Sequence, residues 1–193
     1  MRESGGRWHE AAQKEMMGMS STEWSRYMQR ELAVPMDPSE ISAAVVERLR
    51  ERYRREVPLL PGAREAVSAL ARHSPLGLAS SSNRPLIDLV LELTGMAPLF
   101  GATVSSEEVA RGKPAPDVYL EAARRLGVAP GSSAAVEDST NGIIAADRAA
   151  MSVIAVPRPE FPPSSEALGR ASVVLGSLTE LGPETIEGIA GRD

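Results

Sequence analysis

The 193-residue chain contains no cysteine, which excludes a disulfide framework and any thiolate metal centre. Its two histidines, His9 and His73, lie far apart and make a poor zinc site, so each reads as a solvated or packed side chain. Aromatic residues are scarce at 4%, which leaves Leu, Val, Ala and Met to fill the core. No apolar run approaches the roughly 20 residues a membrane-spanning helix needs. The opening residues Met1-Arg-Glu-Ser-Gly-Gly-Arg7 lack the apolar region of a signal peptide. A soluble cytoplasmic protein without a membrane partner is the expectation. An excess of basic charge is missing too. The formal net charge of −5 argues against a nucleic-acid partner, which would need a basic face. Finally, no Asp-x-Asp occurs anywhere, and nothing resembling a buried strand precedes the first helical stretch.

What is present suits one α/β domain with a small appended lobe. The first sixty residues are charged and helical in pattern, with no β-branched run. Ser20-Ser-Thr-Glu23 predicts a capping box, followed by Trp24, Tyr27, Met28 and Leu32 on one apolar stripe. Asp37-Pro38 predicts an N-cap and an N1 proline opening a helix, with Ile41, Val45, Leu49 and Tyr53 at every fourth position. The charges from Glu47 to Glu56 fall mostly on the other face, as on a solvated helix surface. Pro58 to Pro61 breaks this pattern. Short apolar strands are then predicted over 76–80, 102–105, 134–137, 153–156 and 173–175, with helices near 63–72, 85–93, 118–126 and 142–150. That alternation predicts a parallel sheet covered on both faces, with ligands at the carboxyl ends of its strands. The stretch from Pro157 to Ser165 reads as a surface loop.

Three segments end at that edge. Ser80-Ser81-Ser82-Asn83 offers hydroxyls and free amides to an anion, or else an ordinary helix N-cap. Lys113, between Gly112 and Pro114, is either a point charge for a phosphate or a solvated loop lysine. Glu137-Asp138 follows an apolar strand, where two carboxylates are costly unless paired or bound to a cation. Magnesium takes one or two carboxylates plus phosphate oxygens. The alternative is that Asp138 or Ser139 caps the next helix.

Taken in order, Ser80-Ser-Ser-Asn83, Gly112-Lys-Pro-Ala-Pro-Asp117 and Val136-Glu-Asp-Ser139 resemble the haloacid dehalogenase (HAD) superfamily, in its β-phosphoglucomutase-like phosphatase branch. The resemblance implies a Rossmann-like core over residues 58–193 and a helical cap subdomain over residues 1–57. It implies that Ser80 contacts the transferring phosphoryl group, that Lys113 neutralises it, and that Glu137 and Asp138 hold Mg²⁺. Ser81, Ser82 and Asn83 could add donors to the phosphate, and Met17-Gly-Met-Ser20 falls at a cap substrate loop. The implied activity is Mg²⁺-dependent hydrolysis of a small phosphomonoester, with phosphomutase as a close variant.

Two departures stand out. The family's Asp-x-Asp strand, which carries the nucleophile and lies at the middle of the sheet, is expected upstream of Met1, and a chain without it is expected to lack turnover. A non-catalytic phosphate- or partner-binding protein on the same scaffold is the competing reading. The second departure is Ala149-Ala150-Met151, where the family usually ends a helix with Gly.

Overall fold

A computed structural model describes residues 5–190. It opens with three helices, α1 (Ala11–Met16), α2 (Ser21–Arg30) and α3 (Pro38–Arg55). Both predicted helix starts are present. Ser20 and Glu23 form a reciprocal capping box on α2, and Asp37 and Glu40 form another on α3, with Pro38 in its first turn. Ala12, Met28, Leu32, Val34 and Ile41 make a separate apolar core for this lobe, with Trp24, Tyr27 and Val45 packed against it. Ile41 is the fully buried residue of α3 and Val45 packs on the edge of that core, while Leu49 and Tyr53 lie beyond it.

From Ala63 the chain alternates as its sequence predicts: α4 (Ala63–Leu70), β1 (Gly77–Ser80), α5 (Arg84–Thr94), β2 (Ala102–Ser105), α6 (Asp117–Leu126), β3 (Ala134–Glu137), α7 (Thr140–Arg148), β4 (Ser152–Ala155), α8 (Ser165–Leu168), β5 (Val173–Val174) and α9 (Pro183–Ala190). Strand centres agree with the sequence reading and ends shift by a residue or so. The short helices α1, α8 and α9 were not anticipated. At six and four residues, α1 and α8 are too brief to show a period. Val104, Val118, Ile143 and Val153 are among the residues of the central core, where α6 and α7 meet the strands.

Every strand pair is parallel, but the strands form two sheets. β1 pairs β2 with Ser80 opposite Ser105, and β4 lies between β3 and β5 with Glu137 opposite Ala155. Among the described residues no ladder joins β1 to β3. The carbonyl of Leu76 faces the β2 side and those of Ser133 and Glu137 face β4. Strand alternation therefore turns the backbone groups of Gly77, Ala79, Ala134 and Val136 toward the space between the sheets. Val136 is 39% exposed, high for an apolar residue in the body of a parallel strand. The slot is the main departure from a continuous sheet.

The end of α7 bears out the unusual Ala-Ala sequence. Ala150 takes φ +60°, the left-handed conformation that glycine adopts without strain. A Cβ there costs roughly 1–2 kcal/mol.

Candidate active site

The carboxyl ends of β1 and β3 flank the slot, and the predicted residues gather there. Lys113 comes from the loop before α6 and is only 7% exposed. Its ammonium donates to Glu137 Oε1 at 2.5 Å, to the Tyr119 hydroxyl at 3.2 Å and to the Ala79 carbonyl at 3.2 Å. An ammonium has three donors, so all are in use. Lys113 thereby bridges the slot from the edge of β1 to the end of β3.

Glu137 is 8% exposed and saturated with donors. Oε1 accepts from Lys113 and from Tyr119, the latter also at 2.5 Å. Oε2 accepts the amides of Asp138 and Ser139 and the Ser139 hydroxyl. Ser139 is the N-cap of α7, its oxygen taking the Gly142 amide at 3.1 Å. Gly142 is required by this packing, since a Cβ there would lie 2.0 Å from the Glu137 carboxyl carbon. Burial opposes the charge on Glu137, but Lys113, Tyr119 and the Asp138 amide outweigh it and hold the carboxyl below its ordinary range. Tyr119 is pushed well above its ordinary value, by burial first and then by Glu137, so it stays a protonated donor.

Asp138 behaves oppositely. Burial and then the negative Glu137 raise it, with Arg158 and Lys113 opposing. No salt bridge holds it among the described residues. It faces a cavity of about 400 Å³ that Ser80, Lys113, Glu137 and Ser139 also line.

The serine loop is built from both sides. Ser80 Oγ accepts the Ser82 amide at 3.1 Å, which leaves its own O–H to donate. The Ser82 carbonyl accepts from Ser105 Oγ at 2.7 Å, tying the loop to the end of β2. Ser81 Oγ donates to the Gly18 carbonyl at 3.0 Å. The Asn83 amide donates to Glu107 Oε1 at 2.7 Å and to Ser42 Oγ at 3.4 Å. Ser81 and Asn83 thus hold the helical lobe over the cavity, while Ser80 and Ser82 keep side-chain donors at the cavity wall.

That lobe closes the site. Met17, Gly18, Met19, Trp24, Val45 and Leu49 form its roof. Asn141 Nδ2 donates to the Met17 carbonyl at 3.2 Å. Gly18, at φ +80°, lies so close to Asn141 that a Cβ would be 2.9 Å from the Asn141 Cβ. Gly112 packs against the α2 capping box, where its Cβ would meet Glu23 Oε2 at 3.1 Å. Sequence reasoning missed three members of this arrangement. Tyr119 falls within a predicted helix, Glu107 belongs to the acidic pair Glu107-Glu108, and Asn141 directly precedes the predicted helix at 142–150, so local pattern gives none of them a site role.

A family model for haloacid dehalogenase-like hydrolases matches residues 4–150. The chain belongs to the haloacid dehalogenase-like hydrolases. Among its relatives, a probable pseudouridine-5'-phosphatase from Drosophila melanogaster is 36% identical over 178 residues, covering 89% of this chain and 76% of its own length. Hexitol phosphatase B from Escherichia coli O157:H7 is 44% identical over 125 residues, 64% of this chain. The match spans 56% of that relative's length. In structure, CbbY from Rhodobacter sphaeroides, solved with phosphate, superposes with a TM-score of 0.82 at 25% identity, covering 96% of this chain and 87% of its own. β-Phosphoglucomutase from Clostridium difficile also reaches 0.82, covering 98% and 85%, at 20% identity, a likeness of fold alone.

Proposed function

We propose that this hydrolase scaffold handles small phosphate monoesters with Mg²⁺, binding the phosphoryl group where the ends of β1 and β3 face the cavity. The observation that carries this reading is the convergence of Ser80, Lys113, Glu137 and Asp138 on one roofed cavity at the carboxyl ends of parallel strands. The phosphatase names of its relatives and the phosphate held by the R. sphaeroides CbbY structure support it.

The donor set fits magnesium. Asp138 is a partly buried carboxylate without an ion pair among the described residues, raised by burial and by its acidic neighbour, and a cation relieves both effects. Asp138 would hold the metal directly, while Glu137, with both oxygens occupied, contributes its field. Bound Mg²⁺ offsets charge on phosphoryl oxygens and orients them. Ser80 donates its free O–H to one of those oxygens. Lys113 supplies a fixed positive charge, oriented by Tyr119 and Glu137. Hydrolysis also needs an attacking group, and the sequence holds no Asp-x-Asp. The slot between β1 and β3 is where a strand bearing one would fit, its carboxyl end reaching Lys113 and Asp138. Phosphomutase chemistry would use the same groups.

One observation favours the non-catalytic alternative for the chain as it stands: all three Lys113 donors are committed within the protein. Hydrolysis of p-nitrophenyl phosphate with Mg²⁺ separates the readings. The chain alone is expected to stay far below about 1 turnover per second, an ordinary enzyme rate. The chain supplied with a slot strand carrying Asp-x-Asp is expected to turn over. Ordinary turnover by the chain alone would mean another residue attacks, and continued inactivity with the strand in place would leave the binding role.

A further inference from the structure

The roof of the cavity differs in chemistry from its floor. Met17, Met19, Trp24, Val45 and Leu49 are all uncharged, four of them aliphatic or thioether and one an indole. The polar backbone of the roof is partly spent, since the Met17 and Gly18 carbonyls accept from Asn141 and Ser81. Among the described residues lining the cavity, Lys113 is the one cation, and Glu137 matches it. Asp138 then leaves the lining with a net negative charge. A ligand's phosphoryl group is offset by magnesium and met by Ser80, but a second anionic group under the roof meets no further cation among the lining side chains, Arg158 acting on Asp138 from outside that lining. Taking an unpaired anion out of water into such a wall is costly.

We propose that the cavity selects phosphomonoesters whose alcohol part is uncharged, with an apolar face such as the C–H side of a polyol or sugar lying against Trp24, and that it rejects bisphosphates and carboxylate-bearing esters. This rests on the phosphate reading above and adds the half of the ligand that reading leaves open. The roof residues Trp24 and Leu49 become the specificity determinants. The contrast is informative because a CbbY variant from R. sphaeroides, 26% identical, is known in complex with xylulose-(1,5)bisphosphate.

Titration calorimetry of the chain in Mg²⁺ tests this with four probes: inorganic phosphate, a hexitol monophosphate, phosphoglycolate and xylulose bisphosphate. Each affinity is expressed relative to inorganic phosphate for the same protein. The hexitol ester is expected to bind about tenfold or more tighter than either doubly anionic ester. Leu49→Arg, which adds a cation to the roof on an exposed-faced helix, is expected to narrow or reverse that ratio. Val45→Lys provides the same cation one turn earlier if the first variant does not fold. Equal or tighter binding of the bisphosphate by the unmodified chain would overturn the proposal. So would an ester series in which none binds more tightly than inorganic phosphate, since the roof would then contribute nothing. Failure of inorganic phosphate itself to bind would overturn the underlying phosphate reading, and this inference with it.

Discussion

Glu137 and Asp138 are neighbours in sequence and opposites in electrostatics. Five donors surround the Glu137 carboxylate and hold its pKa down. A depressed carboxyl contributes stability that is present above its unfolded value of 4.5 and lost as pH falls through the lower folded value. Asp138 has its folded value raised above 3.8, so its contribution is complete below 3.8 and disappears as pH rises through the folded value. At neutral pH and without magnesium, its charge therefore costs stability. Asp138→Asn is expected to raise the melting temperature of the metal-free protein and to abolish the stabilisation given by Mg²⁺. A lower melting temperature at pH 7 without metal would show that Asp138 is not under electrostatic stress. Lys113→Met leaves Glu137 buried without its cation, and breaking such a pair costs roughly 3–5 kcal/mol. Urea unfolding measures that loss, and a change under about 1 kcal/mol would mean that Tyr119 and the helix start suffice.

Between elements, Glu107 is the joint that matters most for the site. One carboxylate accepts from Ser21 in α2 at 2.6 Å, from Asn83 at the start of α5 at 2.7 Å and from the Arg84 amide at 3.1 Å. Asn83 continues to Ser42 in α3. These bonds tie the helical lobe to the serine loop, so roof and floor keep one spacing. Glu107→Ala is expected to destabilise by about 1–2 kcal/mol, since bonds to a charged acceptor are lost. The sharper sign is faster amide exchange in α2 and α3 with β4 unchanged. Exchange that rises equally in all three would assign Glu107 to global stability rather than to the joint.

Over the whole molecule the slot dominates. Gly77, Ala79, Ala134 and Val136 turn backbone groups toward it, and Lys113 satisfies just one of their carbonyls, that of Ala79. Amide exchange at Val136 is expected to be orders of magnitude faster than at Val153, in the strand flanked on both sides. A strand seated in the slot would give Ala79 a ladder amide and free one Lys113 donor for a phosphoryl oxygen. Added as an extension or as a peptide, it is therefore expected to protect those amides, raise the melting temperature and tighten inorganic phosphate binding together. Slow exchange at Val136 without any added strand would mean that the slot is already closed in solution.

Much of this protein was legible in the residues because it rests on local rules. Ser20 with Glu23 and Asp37 with Pro38 announce helix starts through backbone capping, and short apolar runs between helices announce parallel strands. Ser80, Lys113, Glu137 and Asp138 could be named because each follows or ends a strand, where a parallel sheet collects its functional groups. What those groups do to one another was decided by tertiary structure. Nothing in Gly112-Lys-Pro says that Lys113 spends its donors on Ala79, Tyr119 and Glu137, for these lie 34, 6 and 24 residues away. Asn83 read as a phosphate donor, yet its amide is spent on Glu107 and Ser42 across the lobe boundary. Capping and periodicity depend on neighbours within a turn or two of the chain. Burial, charge pairing and the open slot depend on which distant segments the fold places side by side.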